Sequence, residues 1–102
     1  MAETMTVYAS IGNSDDRLTQ AQWSEFHATF AMTIRDYAIA VHGSWLSNPA
    51  DPWQNACMAF DVHPNDAGDL QRELAIIAGR FNQDSIAWTI VGDTEFINPG
   101  RH

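Results

Sequence analysis

Three aspartates, four histidines and one cysteine are the residues best suited to chemistry, and their spacing limits what they can do. Asp15, Asp16 and Asp84 together could hold a hard cation such as Mg²⁺ or Ca²⁺, which takes several oxygen ligands. No DxDxDG run accompanies them, and acids ahead of a helix are favoured by its dipole in any case. An Asx turn is therefore the better reading of Asp15 and Asp16. Zinc needs three or four ligands converging in one place, whereas His27, His42, His63 and His102 are scattered, with no HxH or HExxH pair. Cys57 and His42 form a thiolate pair only if they share a face on neighbouring strands, which one of two registers allows; a small buried apolar cysteine is the alternative. The chain has no nucleophile elbow, no phosphate-cradling glycine loop and no dinucleotide fingerprint. The residues lead to an expectation of no metal, no cofactor and no catalytic group.

The elements that must position the polar residues follow from periodicity. Thr4 to Ile11 alternates, with Met5, Val7, Ala9 and Ile11 on one face, which predicts a strand ending in the turn-forming run Gly12 to Asp16. Thr19 and Gln22 have capping-box spacing. Trp23, Phe26, Phe30, Ile34 and Tyr37 then recur at intervals of three and four, so an amphipathic helix is predicted from Gln20 to about Ala38. Ile39 to Leu46 reads as a second strand, stopped by the Pro49 and Pro52 loop. Trp53 to Val62 reads as a third, with Met58, Phe60 and Val62 on one face and Cys57 and Ala59 on the other. Asp66 is the expected N-cap of a second helix with the stripe Leu70, Leu74, Ile77, Ala78 and Phe81. Ser85 to Val91 is a fourth strand, and Gly92-Asp93 is expected to turn it into a short extra hairpin with Thr94 to Ile97.

The predicted fold class is therefore α+β: a βαββαβ, ferredoxin-like domain spanning 1–102, with 98–102 a loose tail. It has a four-stranded antiparallel sheet with two helices on one face. Right-handed crossovers give the strand order 4-1-3-2. That topology sends Gly12 to Thr19, Ser47 to Pro52 and Asn82 to Ser85 to one end of the sheet. Asn13, Asp15, Asp16, Arg17, Trp53, Gln54, Asn55, Gln83 and Asp84 then form a candidate binding surface. Amides and carboxylates supply directional hydrogen bonds, and tryptophan supplies contact area at low entropic cost. The competing reading is that these are ordinary wet turn residues. Tyr8, Trp45 or Trp88 are expected on the open sheet face, according to register, where a homodimer or another partner would pack.

Composition narrows the partners. Thirteen acids oppose five bases, all arginine, for a formal charge of −8. Without a basic patch, direct nucleic-acid binding is not expected. An acidic surface suits solubility and docking onto a basic protein, including one that itself handles nucleic acid. One cysteine precludes an intrachain disulfide, Met1 to Ser10 lacks the pattern of a signal peptide, and no apolar run approaches a membrane span. A cytoplasmic location without membrane contact is expected.

The stretches IGNSDD (Ile11 to Asp16), PWQNA (Pro52 to Ala56) and QDSIAW (Gln83 to Trp88) resemble small uncharacterised proteins of bacterial and phage type. The resemblance spans most of the chain and implies no particular chemistry. The leading expectation is a non-catalytic acidic interaction protein, such as a phage-type inhibitor binding a basic nucleic-acid-handling or defence protein. The alternative is a small dimeric α+β enzyme or a small-molecule or nucleotide-binding protein. Its pocket would lie between sheet and helices, with His27, Tyr37 or His42 as polar groups, or Trp53 would stack on a base.

Overall fold

A computed structural model describes residues 3–13, 16–48, 53–92 and 95–100. The element order is β1 (Met5–Gly12), α1 (Gln20–Tyr37), β2 (Ala40–Leu46), β3 (Asn55–Val62), α2 (Pro64–Arg80) and β4 (Ala87–Ile90). The strands form one antiparallel sheet in the order β2-β3-β1-β4. This is the expected βαββαβ, ferredoxin-like arrangement, with both helices packed on one sheet face.

Local chemistry sets each boundary. Helix α1 starts at a complete capping box: the Thr19 hydroxyl oxygen accepts from Gln22 N–H, and Gln22 Oε1 accepts from Thr19 N–H at 2.9 Å. Helix α2 corrects the expected cap. His63, not Asp66, is the N-cap, and its Nδ1 accepts from Asn65 N–H at 3.1 Å. Pro64 then occupies the first turn, where its missing N–H goes unneeded, and Asp66 lies inside that turn, favoured by the dipole.

The core lies between the helices and one side of the central strands. Val7, Ala9 and Ile11 from β1 meet Ala56, Met58, Phe60 and Val62 from β3, under Phe26, Phe30 and Ile34 of α1 and Leu70, Leu74 and Ile77 of α2. Phe26 stacks on Phe81, with centroids 5.0 Å apart. Trp88 packs against this core, edge-on to Phe60. It therefore belongs to the helix-covered side; only Tyr8 and Trp45 of the expected aromatics lie on the open side. The extra hairpin is also corrected. Residues 95–97 form no strand, while Asp93 and Thr94 lie outside the described residues.

Strand β2 has a bulge. Val41 pairs with Phe60 and Gly43 with Ala59, leaving His42 as the extra residue. That shift decides where His42 and Cys57 fall. Cys57 lies opposite Trp45, while the His42 imidazole reaches Asp61. The thiolate pair considered from sequence does not form.

Candidate functional site

The three polar connections meet at one end of the sheet, as the topology requires. Asn13 is their hub. Its N–H donates to Gln54 O at 3.0 Å, and its Oδ1 accepts from Leu18 N–H at 2.9 Å. Its Nδ2 donates to Leu18 O at 3.0 Å and to Gln54 Oε1 at 2.9 Å, with a longer approach to Asp16. Gln54 Nε2 in turn donates to Gln20 Oε1 at 2.8 Å. A second tie crosses to the end of α2. Arg17 Nη1 donates to Asn82 O at 3.1 Å and to Asp84 Oδ1 at 3.0 Å. Asp16 and Asn82 both take positive φ, 56° and 55°, which Asn and Asp tolerate better than most residues.

The expected site residues therefore divide into two kinds. Asn13 and Gln83 are buried, each 8% exposed, and Gln83 is held by donation from its Nε2 to Phe81 O. These two hold the loops together. Trp53 is 72% exposed, and Asp16, Asn55 and Asp84 are exposed beside it in the chain or across the ties just described. Asn55 Nδ2 donates to Trp53 O, and Asn55 N–H donates to Ser47 Oγ at 3.1 Å. Trp53 thus stands on anchored backbone. Asp15 lies outside the described residues. Among the described residues no three His, Cys, Asp or Glu side chains come together as metal ligands.

One polar line was missed from sequence. On the open sheet face, Thr6 Oγ1 donates to Asp61 Oδ1 at 2.6 Å, and His42 Nε2 lies 3.0 Å from the same oxygen. These bonds hold the Asp61 carboxyl below its usual range, the Thr6 hydroxyl contributing most and His42 next. The carboxylate sits between hydroxyl and imidazole. This order differs from that of a nucleophile–imidazole–carboxylate relay, in which the imidazole lies in the middle. Thr6 and Asp61 occupy same-face positions on adjacent strands, and the β1–β3 register was the signal needed to pair them. Near the helix layer, burial and the Arg35 charge lower the pKa of half-buried His27.

None of His27, Tyr37 and His42, the polar groups expected around a pocket, lines either of two cavities at the described residues. A cavity of about 410 Å³ lies instead between the last turns of α2 and the segment 83–88. A smaller hollow near Trp23, Leu46 and Gln54 borders the loop end.

No family model matches the chain, and no curated protein matches its sequence. Solved structures do match in fold. A DUF3240 family protein from Shewanella baltica OS155 is 8% identical, with 98% of this chain and 100% of that chain covered and a TM-score of 0.56. The C-terminal domain of the MgtC protein from Mycobacterium tuberculosis is 11% identical over 88% of each chain, with a TM-score of 0.54. A REP-associated tyrosine transposase, solved bound to a REP hairpin, is 12% identical, with 92% of this chain and 61% of that chain covered and a TM-score of 0.53. At these identities the likeness is one of fold, and function has to be argued from the site. Among the described residues, no helix is long and apolar enough to cross a membrane.

Proposed function

We propose that this chain is a non-catalytic acidic interaction protein whose loop end docks onto a basic protein, as a phage-type inhibitor of a nucleic-acid-handling or defence protein would. The observation that carries the reading is Trp53, 72% exposed on backbone fixed by hydrogen bonds from its neighbours. Exposed aromatics on ordered backbone contribute disproportionately to binding because little freedom is lost on contact. Asp16 and Asp84 lie at the same end, within a chain of charge −8, and would steer a basic surface toward it.

The test is a pull-down from a host lysate with the tagged native chain and with Trp53→Ala, washed at low and high salt. A stoichiometric partner is expected with the native chain, released at high salt and absent with Trp53→Ala. The thermal midpoint of the variant should stay within about 2 °C of native, since exposed substitutions change stability little. Retention of the partner by Trp53→Ala, or a variant that unfolds, would overturn the assignment.

The open sheet face supports a second reading, pairing with another copy of this chain. Tyr8 and Trp45 are 45% and 54% exposed there, and their rings lie 6.5 Å apart.

A further inference from the structure

The sheet has two edge strands, β2 and β4, and they are finished differently. Strand β4 has four residues; β2 has seven, Ala40–Leu46, with no Lys, Asp, Glu or Pro among them. Natural sheets blunt an exposed edge with a short strand, a charge, a proline or a bulge. Of these devices β2 has only the bulge at His42, near its start, which leaves Gly43 to Leu46 as a regular edge.

Backbone and side chains both favour a further strand at this edge. Ser47 N–H donates to Asn55 O at 2.9 Å, and antiparallel bonding alternates along a strand. Trp45 and Gly43 therefore bond to β3, while Ser44 and Leu46 turn N–H and C=O outward. Among the described residues no segment of the chain pairs with them. The side chains are exposed on both sides of the strand. Trp45 lies on the open side, 54% exposed. Val41 and Leu46 lie on the helix side, opposite Phe60 and Ala56, yet are 38% and 60% exposed. A partner lying on one face of the sheet covers one of these sets, whereas a strand added in its plane flanks both.

We infer that β2 pairs edge to edge with β2 of a second copy of this chain, antiparallel and centred on Trp45, joining two four-stranded sheets into one. A two-fold axis makes such an edge its own complement. The bulge sets the centre. With Trp45 opposite its own counterpart, Ser44 and Leu46 exchange bonds with Leu46 and Ser44 of the second copy, and His42 stays outside the ladder. Charge favours a copy at this place. In a chain of charge −8, β2 brings no carboxylate to the contact, and like charges directly opposite would destabilise a pairing. The partner is that of the second reading above, but the surface is not, since edge pairing leaves the open face uncovered.

The experiment is amide hydrogen exchange by NMR on the ¹⁵N-labelled native chain, dilute and concentrated, with sedimentation of the same samples. A dimer is expected at high concentration, with the Ser44 and Leu46 amides exchanging at least about fivefold more slowly than in dilute solution. The Ile90 amide, which by the same alternation points outward from β4, should not slow comparably. Ser44→Pro removes an outward donor that no strand of its own chain uses, and should be folded and monomeric. Leu46→Lys leaves the backbone intact, places a charge at the edge and should likewise be folded and monomeric. A native chain that stays monomeric at every concentration overturns both this inference and the open-face reading. A dimer whose Ser44 and Leu46 amides exchange as in the monomer, or that persists in folded Leu46→Lys, overturns the edge pairing and leaves the open-face reading standing.

Discussion

The two sides of the sheet use alternate residues of the same strands and are built differently. On the covered side, β1 and β3 present seven apolar side chains, Val7 to Ile11 and Ala56 to Val62, none more than 3% exposed. On the open side the same strands present Thr6, Tyr8 and Ser10 against Asp61, Ala59 and Cys57. One side is held by volume, packed against two helices. The other is held by cross-strand pairs: Thr6 with Asp61 and His42, and Tyr8 with Trp45 over Ala59. Ala59 is only 3% exposed although no helix covers it, so side chains alone shield the middle of this face. The lesson is that a period of two tells which residues travel together, while the cost of changing them depends on what lies opposite.

The largest contrast should come from aromatic truncation on either side. Phe60→Ala removes a fully buried ring that meets Trp88 at 6.0 Å, and is expected to destabilise the fold by about 3–5 kcal/mol. Tyr8→Ala removes a half-exposed ring in contact with Trp45, and about 1 kcal/mol is expected. Urea unfolding of both variants at low protein concentration measures the difference. Equal losses would break the comparison, because the open side would then be as tightly packed as the core.

Much of the covered side was legible in the sequence, and the reasons are local. Thr19 and Gln22 announce α1, and Trp23, Phe26, Phe30 and Ile34 keep helical spacing and are all buried. Proline and Asx clusters separate the strands, and handed crossovers then leave little choice of strand order. The open side and the loop end were less legible because their residues depend on partners distant in sequence. Asn13 reads as a turn residue, yet its amide bonds to Gln54, 41 positions away. Asp84 reads as a possible cation ligand or binding carboxylate, yet it pairs with Arg17, 67 positions away. Trp88 could be assigned to a face only once Ala9 was known to lie opposite it. The bulge at His42 is marked in the β2 sequence by the neighbouring Gly43 alone, too little to fix the register, and it decides that the imidazole meets Asp61 and not Cys57.

Acid titration sharpens the comparison at intermediate size. The Asp61 carboxyl is held below its unfolded value by Thr6 and His42. Its contribution to stability is therefore present above the unfolded pKa and is lost as pH falls through the folded one. Unfolding free energies of the native chain and Asp61→Asn should differ most near neutral pH and converge at the acid end of the range. Thr6→Val removes the leading hydrogen bond and should raise the Asp61 carboxyl toward its ordinary value, moving the convergence to higher pH. A difference between native and Asp61→Asn that does not change with pH would mean the line on the open face is not an electrostatic one.

A small effect on the isolated fold is expected at Trp45, and there the open side can be tested as a contact between copies. The Trp45 ring lies over Gly43, where a Cβ would come within 3.1 Å of Cη2 and Cζ2. Glycine thus lets the indole lie down on the sheet instead of standing away from it. Trp45→Ser loses that half-exposed cover, and about 1 kcal/mol of monomer stability is expected to go with it. Its effect on self-association should be larger. On the two helices the exposed acids Glu25, Asp36, Asp66, Asp69 and Glu73 are partly offset by the exposed Arg35, Arg72 and Arg80, while the open face carries Asp61, already engaged with Thr6 and His42. A copy approaching the open side meets two aromatic rings and little net charge, whereas the helix side presents a mixed charged surface. Sedimentation over a wide concentration range should show a dimer for the native chain and a monomer for Trp45→Ser. High salt should strengthen the native dimer by screening the remaining repulsion. A native chain that stays monomeric at every concentration would leave the open side as a solvated face, stabilised by its cross-strand pairs alone.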